Sequence, residues 1–165
     1  MEFPICELCA KSGLLCSTCE SKLSSGKITK LDIDISKLIA SLSERFPLEK
    51  ANVEKTIDAG SVVLLLTKGE VGALIGKQGT IVRELTNGIG KKVRIVGRSN
   101  DMHRIVSDII SPARLLGVNT VFKPDSKVYK VRISKRDLDK LPMDLPTLQN
   151  SLNVLLEAQT TVVFE

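Results

Sequence analysis

The spacing of hydrophobic residues along the chain alternates between the helical and the extended pattern. A helical stripe of apolar residues comes first and ends at a proline: Ile35, Leu38, Ile39, Leu42, Phe46 and Pro47. Residues 56–68 follow as a strand region, and 53–57 have the composition of one more strand. Two short apolar helices around 71–75 and 81–85, and a partly alternating strand at 91–96, complete the unit. The pattern predicts the order α-β-β-α-α-β.

The rest of the chain repeats this pattern in altered form. A shift of about 67 positions superposes apolar residues of the first copy on apolar residues of the second. The matched pairs include Leu64 with Val131, Leu66 with Ile133, Val71 with Leu138, Leu74 with Leu141, Ile81 with Leu148 and Leu85 with Leu152. We expect a leading helix that starts with Asn100 as its N-cap and ends at Pro112. We also expect a last strand at 160–164, after a helix that is a few residues longer than its counterpart in the first copy.

A glycine loop joins the two short helices of the first copy. It reads Gly76-Lys77-Gln78-Gly79, and apolar residues flank it on both sides. Because glycine has no Cβ, the backbone of such a loop can approach a ligand closely. Lys77 adds a cation at the tip and Gln78 adds an amide. A GxxG loop between two helices is the device with which KH modules clamp a nucleic-acid backbone.

The loop and its flanking elements resemble a type II KH domain, and two such units in succession resemble the paired KH region of NusA-like transcription factors, including the short archaeal forms. The resemblance covers the chain from about residue 32 onward, including the junction 110–114. It implies an α+β fold of two tandem type II KH domains, α-β-β-α-α-β each, preceded by a small module with four cysteines. The expected domains are 1–26 for the cysteine module, 27–98 for the first KH domain and 99–165 for the second.

The second copy differs from the first at the loop. Met143-Asp144-Leu145-Pro146 stands where the first copy has its glycine loop. Both glycines are gone, an acid replaces Lys77, and Pro146 has no amide hydrogen to donate. We therefore expect the second copy to keep the fold and to contribute little to RNA affinity.

The cysteines form the other strong motif. All four lie near the N-terminus, as Cys6-x2-Cys9 and Cys16-x2-Cys19. Each C-x2-C turn presents two thiolates, and two such turns can complete a tetrahedral site with four sulfur ligands. Gly13 allows the chain to reverse between the turns. The motif predicts one structural Zn²⁺ per chain; a rubredoxin-like iron site is the alternative, and disulfides fit an oxidising compartment that nothing else in the chain suggests.

Composition and charge favour an anionic partner. The chain has 165 residues, 42% of them hydrophobic, and a formal net charge of +5. Basic residues cluster after the glycine loop and again on the strands of the second copy. With no Trp and one Tyr, the stacking surfaces of RRM and OB folds are not expected. The candidate RNA-binding residues are Ile75, Gly76, Lys77, Gln78, Gly79, Ile81 and Val82, with Arg83, Lys92 and Arg94 as further phosphate contacts.

Other functional classes have little support in the sequence. The single histidine, His103, lies in a helical pattern and fits a surface or capping position better than that of a catalytic base. Phosphate-loop, zincin and nucleophile-elbow motifs do not occur. A secretory signal and a long apolar stretch are absent as well, so we expect a cytoplasmic protein that is not an enzyme and has no membrane or small-molecule partner.

The sequence thus predicts a single-stranded RNA-binding protein that acts in transcription or in RNA or ribosome metabolism. Single-stranded DNA is an alternative ligand, because a KH groove does not strictly require a 2′-hydroxyl. The rival class is a protein-interaction adaptor, in which the cysteine module and the altered second copy dock on RNA polymerase or ribosomal machinery. Salt-dependent binding to short RNA favours the first class. Co-purification with a protein partner after nuclease treatment favours the second.

Overall fold

The computed structural model describes residues 1–165, which form two compact units. The first unit comprises Met1–Asp58 and Val63–Arg98; the second comprises Ala59–Val62 and Ser99–Glu165. The elements are α1 (Glu7–Ser12), α2 (Ser17–Ser24), α3 (Lys30–Leu42), β1 (Val53–Asp58), β2 (Val62–Thr67), α4 (Val71–Ile75), α5 (Thr80–Ile89), β3 (Lys92–Gly97), α6 (Met102–Ile110), β4 (Leu115–Lys123), β5 (Ser126–Ile133), α7 (Leu145–Leu155) and β6 (Gln159–Phe164). Two 3-10 helices lie at Lys77–Gly79 and Lys135–Lys140.

The sheet of the first unit has the strand order β1-β2-β3, with β1 antiparallel to β2. Every residue of the central strand β2 is buried. This burial explains the continuous apolar run at 62–66, since a strand covered on both faces loses the usual polar alternation. The core comprises Ile35, Ile39, Leu42, Leu48, Ala51, Val53, Val63, Leu65, Leu74, Ile81, Leu85, Val93 and Ile95.

Helix α3 begins with a capping box. The Thr29 hydroxyl accepts from the Asp32 amide, and an Asp32 carboxylate oxygen accepts from the Thr29 amide at 2.9 Å. The other oxygen of the buried Asp32 carboxylate accepts from the amide and the hydroxyl of Thr56, both at 2.7 Å, so α3 is tied to β1. The helix ends at Leu42, earlier than the apolar stripe predicted, and Phe46 lies in the segment that leaves it.

The second unit has the sheet order β4-β5-β6, in which the central strand β5 is antiparallel to β4 and parallel to β6. Asp101, and not Asn100, caps α6, because its carboxylate accepts from the His103 amide at 3.0 Å. The element that matches α4 is a 3-10 helix at Lys135–Lys140. Pro142 comes two residues after it, and proline disrupts an α-helix because it has no amide hydrogen to donate. Helix α7 has 11 residues and α5 has 10, so the second copy's helix is longer by one residue and not by the few that the sequence suggested.

The predicted α+β class is confirmed, with two three-stranded sheets and a cluster of four cysteines near the N-terminus. From α3 to β3 the first unit has the predicted order α-β-β-α-α-β. None of the helices combines the length and the hydropathy that crossing a bilayer demands.

Candidate nucleic-acid interface and metal centre

The glycine loop has an unusual backbone. Helix α4 ends at Ile75, and α5 begins at Thr80. Three of the four residues between them have positive φ: Gly76 (φ 75°, ψ 174°), Gln78 (φ 54°, ψ 28°) and Gly79 (φ 73°, ψ 20°). Lys77 and Gln78 are exposed at this loop. The loop therefore presents a cation and an amide directly before the N-terminus of a ten-residue helix.

The two glycines of the loop are required for different reasons. A Cβ at Gly76 would lie 2.7 Å from Cγ1 and 3.1 Å from the backbone nitrogen of Ile81. Gly76 also has φ and ψ values that only glycine adopts readily. A Cβ at Gly79 would meet only Val82 Cγ1, at an ordinary 3.6 Å. Gly79 is thus needed mainly for its left-handed conformation, whereas Gly76 is needed for both conformation and packing.

A groove of about 690 Å³ lies beside the loop. Its lining is mostly apolar: Phe46, Pro47, Gly72, Ala73, Gly76, Lys77, Thr80 and Ile81. Of the apolar residues proposed from the sequence, Ile81 lines this groove, although only 4% of it is exposed. Ile75 and Val82 are half-buried against the core and do not line it.

Sequence analysis missed part of this lining. Gly72 and Ala73 lie one helical turn before Gly76 and Lys77, a spacing that places them on the same side of the segment. Phe46 and Pro47 come from the segment after α3, and the Arg45 guanidinium lies 5.4 Å from the centre of the Phe46 ring. The helical spacing could have identified the first pair. No local signal connects Phe46 with the loop, because that proximity arises from tertiary packing.

The basic residues near the loop are not equally available to a ligand. Lys91 pairs with Asp58 at 3.0 Å, and Arg98 pairs with Glu54. Lys92 and Arg94 already interact with other groups of the chain. Lys77 and Arg83 form no ion pair, and both are exposed. Among the predicted phosphate contacts, these two side chains are the ones free to meet an anion.

In the corresponding segment of the second unit, the Asp144 carboxylate caps the helix that follows. Asp144 is the N-cap of α7: one oxygen accepts from the Thr147 amide at 3.2 Å, and the other accepts from the hydroxyls of Ser61 at 2.6 Å and Thr147 at 2.7 Å. The hydrogen bonds from Ser61 and Thr147 lower the pKa of Asp144 to about 2. A stable negative charge therefore occupies the helix N-terminus at which a phosphate would bind.

The four cysteines form one cluster. Cys6 and Cys16 are the N-caps of α1 and α2, and Cys9 and Cys19 lie three residues later in each helix. The Sγ atoms all lie within 4.8 Å of one another. Zn–S bonds of about 2.3 Å at tetrahedral angles require sulfur atoms about 3.8 Å apart, so the cluster fits a four-thiolate metal site.

Backbone amides point at these sulfur atoms. The Cys16 amide donates to Cys9 Sγ at 3.1 Å, and the Cys6 amide donates to Cys19 Sγ at 3.4 Å. Gly13, with φ 78°, ends α1 and donates its amide to the Cys9 carbonyl, which turns the chain between the two C-x2-C motifs. All four cysteines are free thiols in the structure.

The thiols differ in acidity. The amide of Cys19 and the neighbouring Cys9 thiol lower the pKa of Cys16 to about 6. The amide of Cys16 also lowers the pKa of Cys9, but the adjacent Cys6 thiol and burial outweigh it and raise that pKa to about 12. Four thiolates at this separation need a cation to balance their charge, and a divalent metal provides one.

The cysteine module shares a small core with α3. Cys9, Ala10 and Cys19 are buried together with Ile33 and Ala40 of that helix. Ile5 and Ile28 complete the cluster on the module's side. The module therefore packs within the first unit and does not stand apart from it.

Comparison with known proteins identifies what the chain resembles. Residues 35–98 match the model of the NusA-like first KH domain. The probable transcription termination protein NusA of Methanococcus vannielii is 30% identical over 84 residues, which are 51% of this chain and 49% of that protein. The chain thus spans about half the length of this curated relative. The crystal structure of APE1850 matches 78% of this chain and 98% of its own, with 20% identity and a TM-score of 0.57, which shows a shared fold. These matches show that residues 35–98 resemble a NusA-like first KH domain.

Proposed function

We propose that the protein binds single-stranded RNA through the glycine loop of the first unit and acts in transcription or in RNA or ribosome metabolism. The observation that carries the proposal is the loop at 76–79, with two positive-φ glycines and an exposed, unpaired Lys77 before a ten-residue helix. The matched NusA protein is a probable transcription termination protein, which supports a role related to transcription. Single-stranded DNA is the alternative ligand, and we place the protein in the cytoplasm.

The loop suits a phosphate for two reasons. Amides at the first turn of α5 have no partners within the helix, and the helix dipole favours negative charge there. The two glycines keep side chains off the backbone, so a nucleotide chain can lie close to it. The apolar groove next to the loop offers a surface for bases, while Lys77 and Arg83 offer positive charge to the backbone.

The test replaces the loop tip with acids. In the variant Lys77→Asp/Gln78→Asp, RNA affinity should fall by about tenfold or more, because two carboxylates would repel the phosphates. Loss of one phosphate contact should also reduce the slope of log K against log salt by about 0.7 for a single strand. Fluorescence anisotropy with short RNAs across a salt series measures both effects.

A matched control has the same change in net charge elsewhere. Lys30→Asp/Asn150→Asp changes two exposed helical positions outside the loop. This control should lower affinity only by the general charge effect, and circular dichroism should show that both variants are folded. If the two variants bind RNA equally well, the loop is not the clamp. Matching single-stranded DNA probes decide between RNA and DNA.

We infer that the cysteine cluster holds one structural Zn²⁺ per chain, with Cys6, Cys9, Cys16 and Cys19 as ligands. The inference is supported by four sulfur donors that lie within 4.8 Å of one another, and by the backbone amides of Cys6 and Cys16, which donate to two of them. With four protein ligands no position is left for water or substrate, so the metal's role is structural. Native mass spectrometry of freshly purified, reduced protein should show one zinc; iron would change only the metal's identity, and no metal would refute the site.

The rival function, a protein-interaction adaptor, has one observation in its favour. Leu8 and Leu14 of the cysteine module are 74% and 78% exposed. Large exposed apolar side chains become a protein-docking surface where they form one patch. The test is co-purification after nuclease treatment. The adaptor function would be favoured if a protein partner such as RNA polymerase or ribosomal machinery stays bound to the parent chain, is lost in Leu8→Ser/Leu14→Ser, and RNA binding is weak.

We also propose that the protein is not an enzyme and takes no small-molecule substrate. His103 is exposed in the first turn of α6, where its amide is capped by Asp101. The hydrogen bond from His103 to Asp101 uses the backbone amide and not the imidazole ring. The side chains at the glycine loop can position a ligand, but they offer no acid–base pair for catalysis.

A further inference from the structure

A second basic site lies in the second unit. A cavity of about 870 Å³ opens between α6, the start of β4 and the end of β5. Three arginines from different elements line it: Arg104, Arg114 and Arg136. The hydroxyl-bearing residues Ser107 and Ser134 also line it. None of these residues belongs to the loop 143–146, so this site is separate from the segment that matches the glycine loop.

One of the arginines is held firmly in place. The Nε and the backbone amide of Arg114 both donate to the same Asp137 oxygen, each at 2.9 Å. Asp137 is 1% exposed and also pairs with Lys140 at 3.2 Å, so two cations balance its charge. The Arg114 side chain is 68% exposed in spite of this anchor. Because Asp137 engages only the Nε edge, the terminal nitrogens of Arg114 can donate to a further acceptor.

The other two arginines have no acidic partner. Arg104 and Arg136 are exposed, and neither forms an ion pair. The only acid that lines the cavity is Asp101, whose carboxylate accepts from the His103 amide and caps α6. Three guanidinium groups at one cavity with a single acid among them create a positive potential, and an anion bound there would relieve their mutual repulsion.

We propose that this cavity binds a phosphate group of an RNA backbone. The planar guanidinium matches phosphate oxygens with two parallel hydrogen bonds, and serine hydroxyls add neutral donors. The cavity lining has no Phe, Tyr or Trp, so it provides no stacking surface for a base. The choice of RNA as the source of the phosphate rests on the proposed function of the first unit, whereas the anion site itself does not.

The test removes the two unpaired arginines from the full-length protein. Arg104→Gln/Arg136→Gln leaves the Arg114–Asp137 pair intact, so the fold should persist. RNA affinity should fall by about tenfold, and the slope of log K against log salt should fall by about 0.7 for one lost phosphate contact. The control Lys123→Gln/Lys127→Gln removes the same charge from exposed residues at the β4–β5 turn and should change affinity by less than about twofold.

Two further arms separate the possible outcomes. Titration of inorganic phosphate, followed by amide chemical shifts at Leu115 and Leu116, should show binding that short RNA displaces. Phosphate binding that RNA leaves unchanged would assign the cavity to a free anion and overturn the RNA proposal. Equal RNA affinity of the arginine variant and its control would overturn it too. This test is independent of the test of the glycine loop. If Lys77→Asp/Gln78→Asp binds RNA with normal affinity and the arginine variant does not, the glycine-loop proposal fails and the cavity proposal stands.

Discussion

The structure predicts that the two loop glycines respond differently to the same substitution. Gly76→Ala places a Cβ 2.7 Å from Ile81 Cγ1 and 3.1 Å from the Ile81 nitrogen, and it does so at φ 75° and ψ 174°. Gly79→Ala places a Cβ no closer than 3.6 Å to any neighbour, at φ 73°. Both changes strain the backbone, but only the first also compresses the core.

The magnitudes follow from these two contributions. A non-glycine residue in the left-handed region costs about 1–2 kcal/mol, and the glycine-only region of Gly76 costs about 1–3 kcal/mol. Overpacking a core contact adds about 1–3 kcal/mol, and Ile81 is only 4% exposed, so it has little space to move. We therefore expect Gly76→Ala to lower the free energy of unfolding by about 2–6 kcal/mol and Gly79→Ala by about 1–2 kcal/mol.

Asparagine makes the comparison sharper. Asparagine adopts the left-handed helical region more readily than other non-glycine residues, so Gly79→Asn should cost less than Gly79→Ala. The backbone of Gly76 lies outside that region, and Gly76→Asn should be at least as damaging as Gly76→Ala. Gly72→Ala is the control, since a Cβ there meets no atom within 4 Å, and alanine favours the helix by about 0.5–1 kcal/mol.

Urea or guanidinium unfolding of each variant measures the free energies, and RNA anisotropy of the folded variants measures binding. Gly72→Ala should be as stable as the parent chain or more stable, yet bind RNA less well if the apolar groove holds a base, because Gly72 lines that groove. Equal destabilisation at Gly76 and Gly79 would refute the argument that Ile81 packing determines the first glycine.

Two more predictions concern the metal centre and the carboxylates of the second unit. Removal of the proposed metal by a chelator should lower the thermal midpoint of the first unit, because the module that this metal would organise packs on Ile33 and Ala40 of α3. An unchanged midpoint in protein that mass spectrometry shows to have lost its metal would contradict this. The stability of the second unit should fall as the pH drops from about 4 towards 2. The Arg114 side chain and amide lower the pKa of Asp137 from the ordinary 3.8 to about 2. Hydrogen bonds from Ser61 and Thr147 lower the pKa of Asp144 from 3.8 to about 2 as well. Both groups stabilise the fold above pH 4, and Asp137→Asn/Asp144→Asn should flatten the pH dependence of urea unfolding over this interval.

Features that depend on local chemistry could be predicted from the sequence. The run 62–66 is the buried central strand, and the repeated spacing of the cysteines brings four thiols together because each C-x2-C occupies one helix start. The helix after the glycine loop begins at Thr80, one residue before the segment 81–85 that the apolar spacing predicted as helical. In these places a short stretch of chain contains all the information, since a capping residue, an apolar run or a glycine acts on its immediate neighbours.

Features that depend on distant residues could not be predicted in the same way. The apolar stripe that ends at Pro47 suggested a helix through Phe46, but the helix ends at Leu42 and Phe46 lines the groove. Phe46 fitted the apolar stripe because it packs against the same core as the helix. An apolar residue shows that a position is buried, but it does not show whether that position belongs to the helix or to the segment after it. The anchor between Arg114 and Asp137 joins residues 23 positions apart, and neither residue has a local pattern that indicates a buried ion pair.

The divergence of the two copies shows why one substitution would not restore the missing loop. At the offset of the repeat, Thr147 matches Thr80, but α7 begins at Leu145, two residues before that position. Helix α7 thus includes part of the segment that matches the positive-φ loop of the first copy. Pro146 lies in its first turn, and Asp144 is its N-cap. Asp144→Lys would thus remove the cap, at a cost of about 1 kcal/mol, as well as the charge, and the backbone would still lack the two glycine conformations. The absent glycines and the acidic cap therefore belong to one structural difference. The first copy has a positive-φ loop before its helix, whereas the second has a helix whose N-cap carboxylate accepts from the Thr147 amide and hydroxyl.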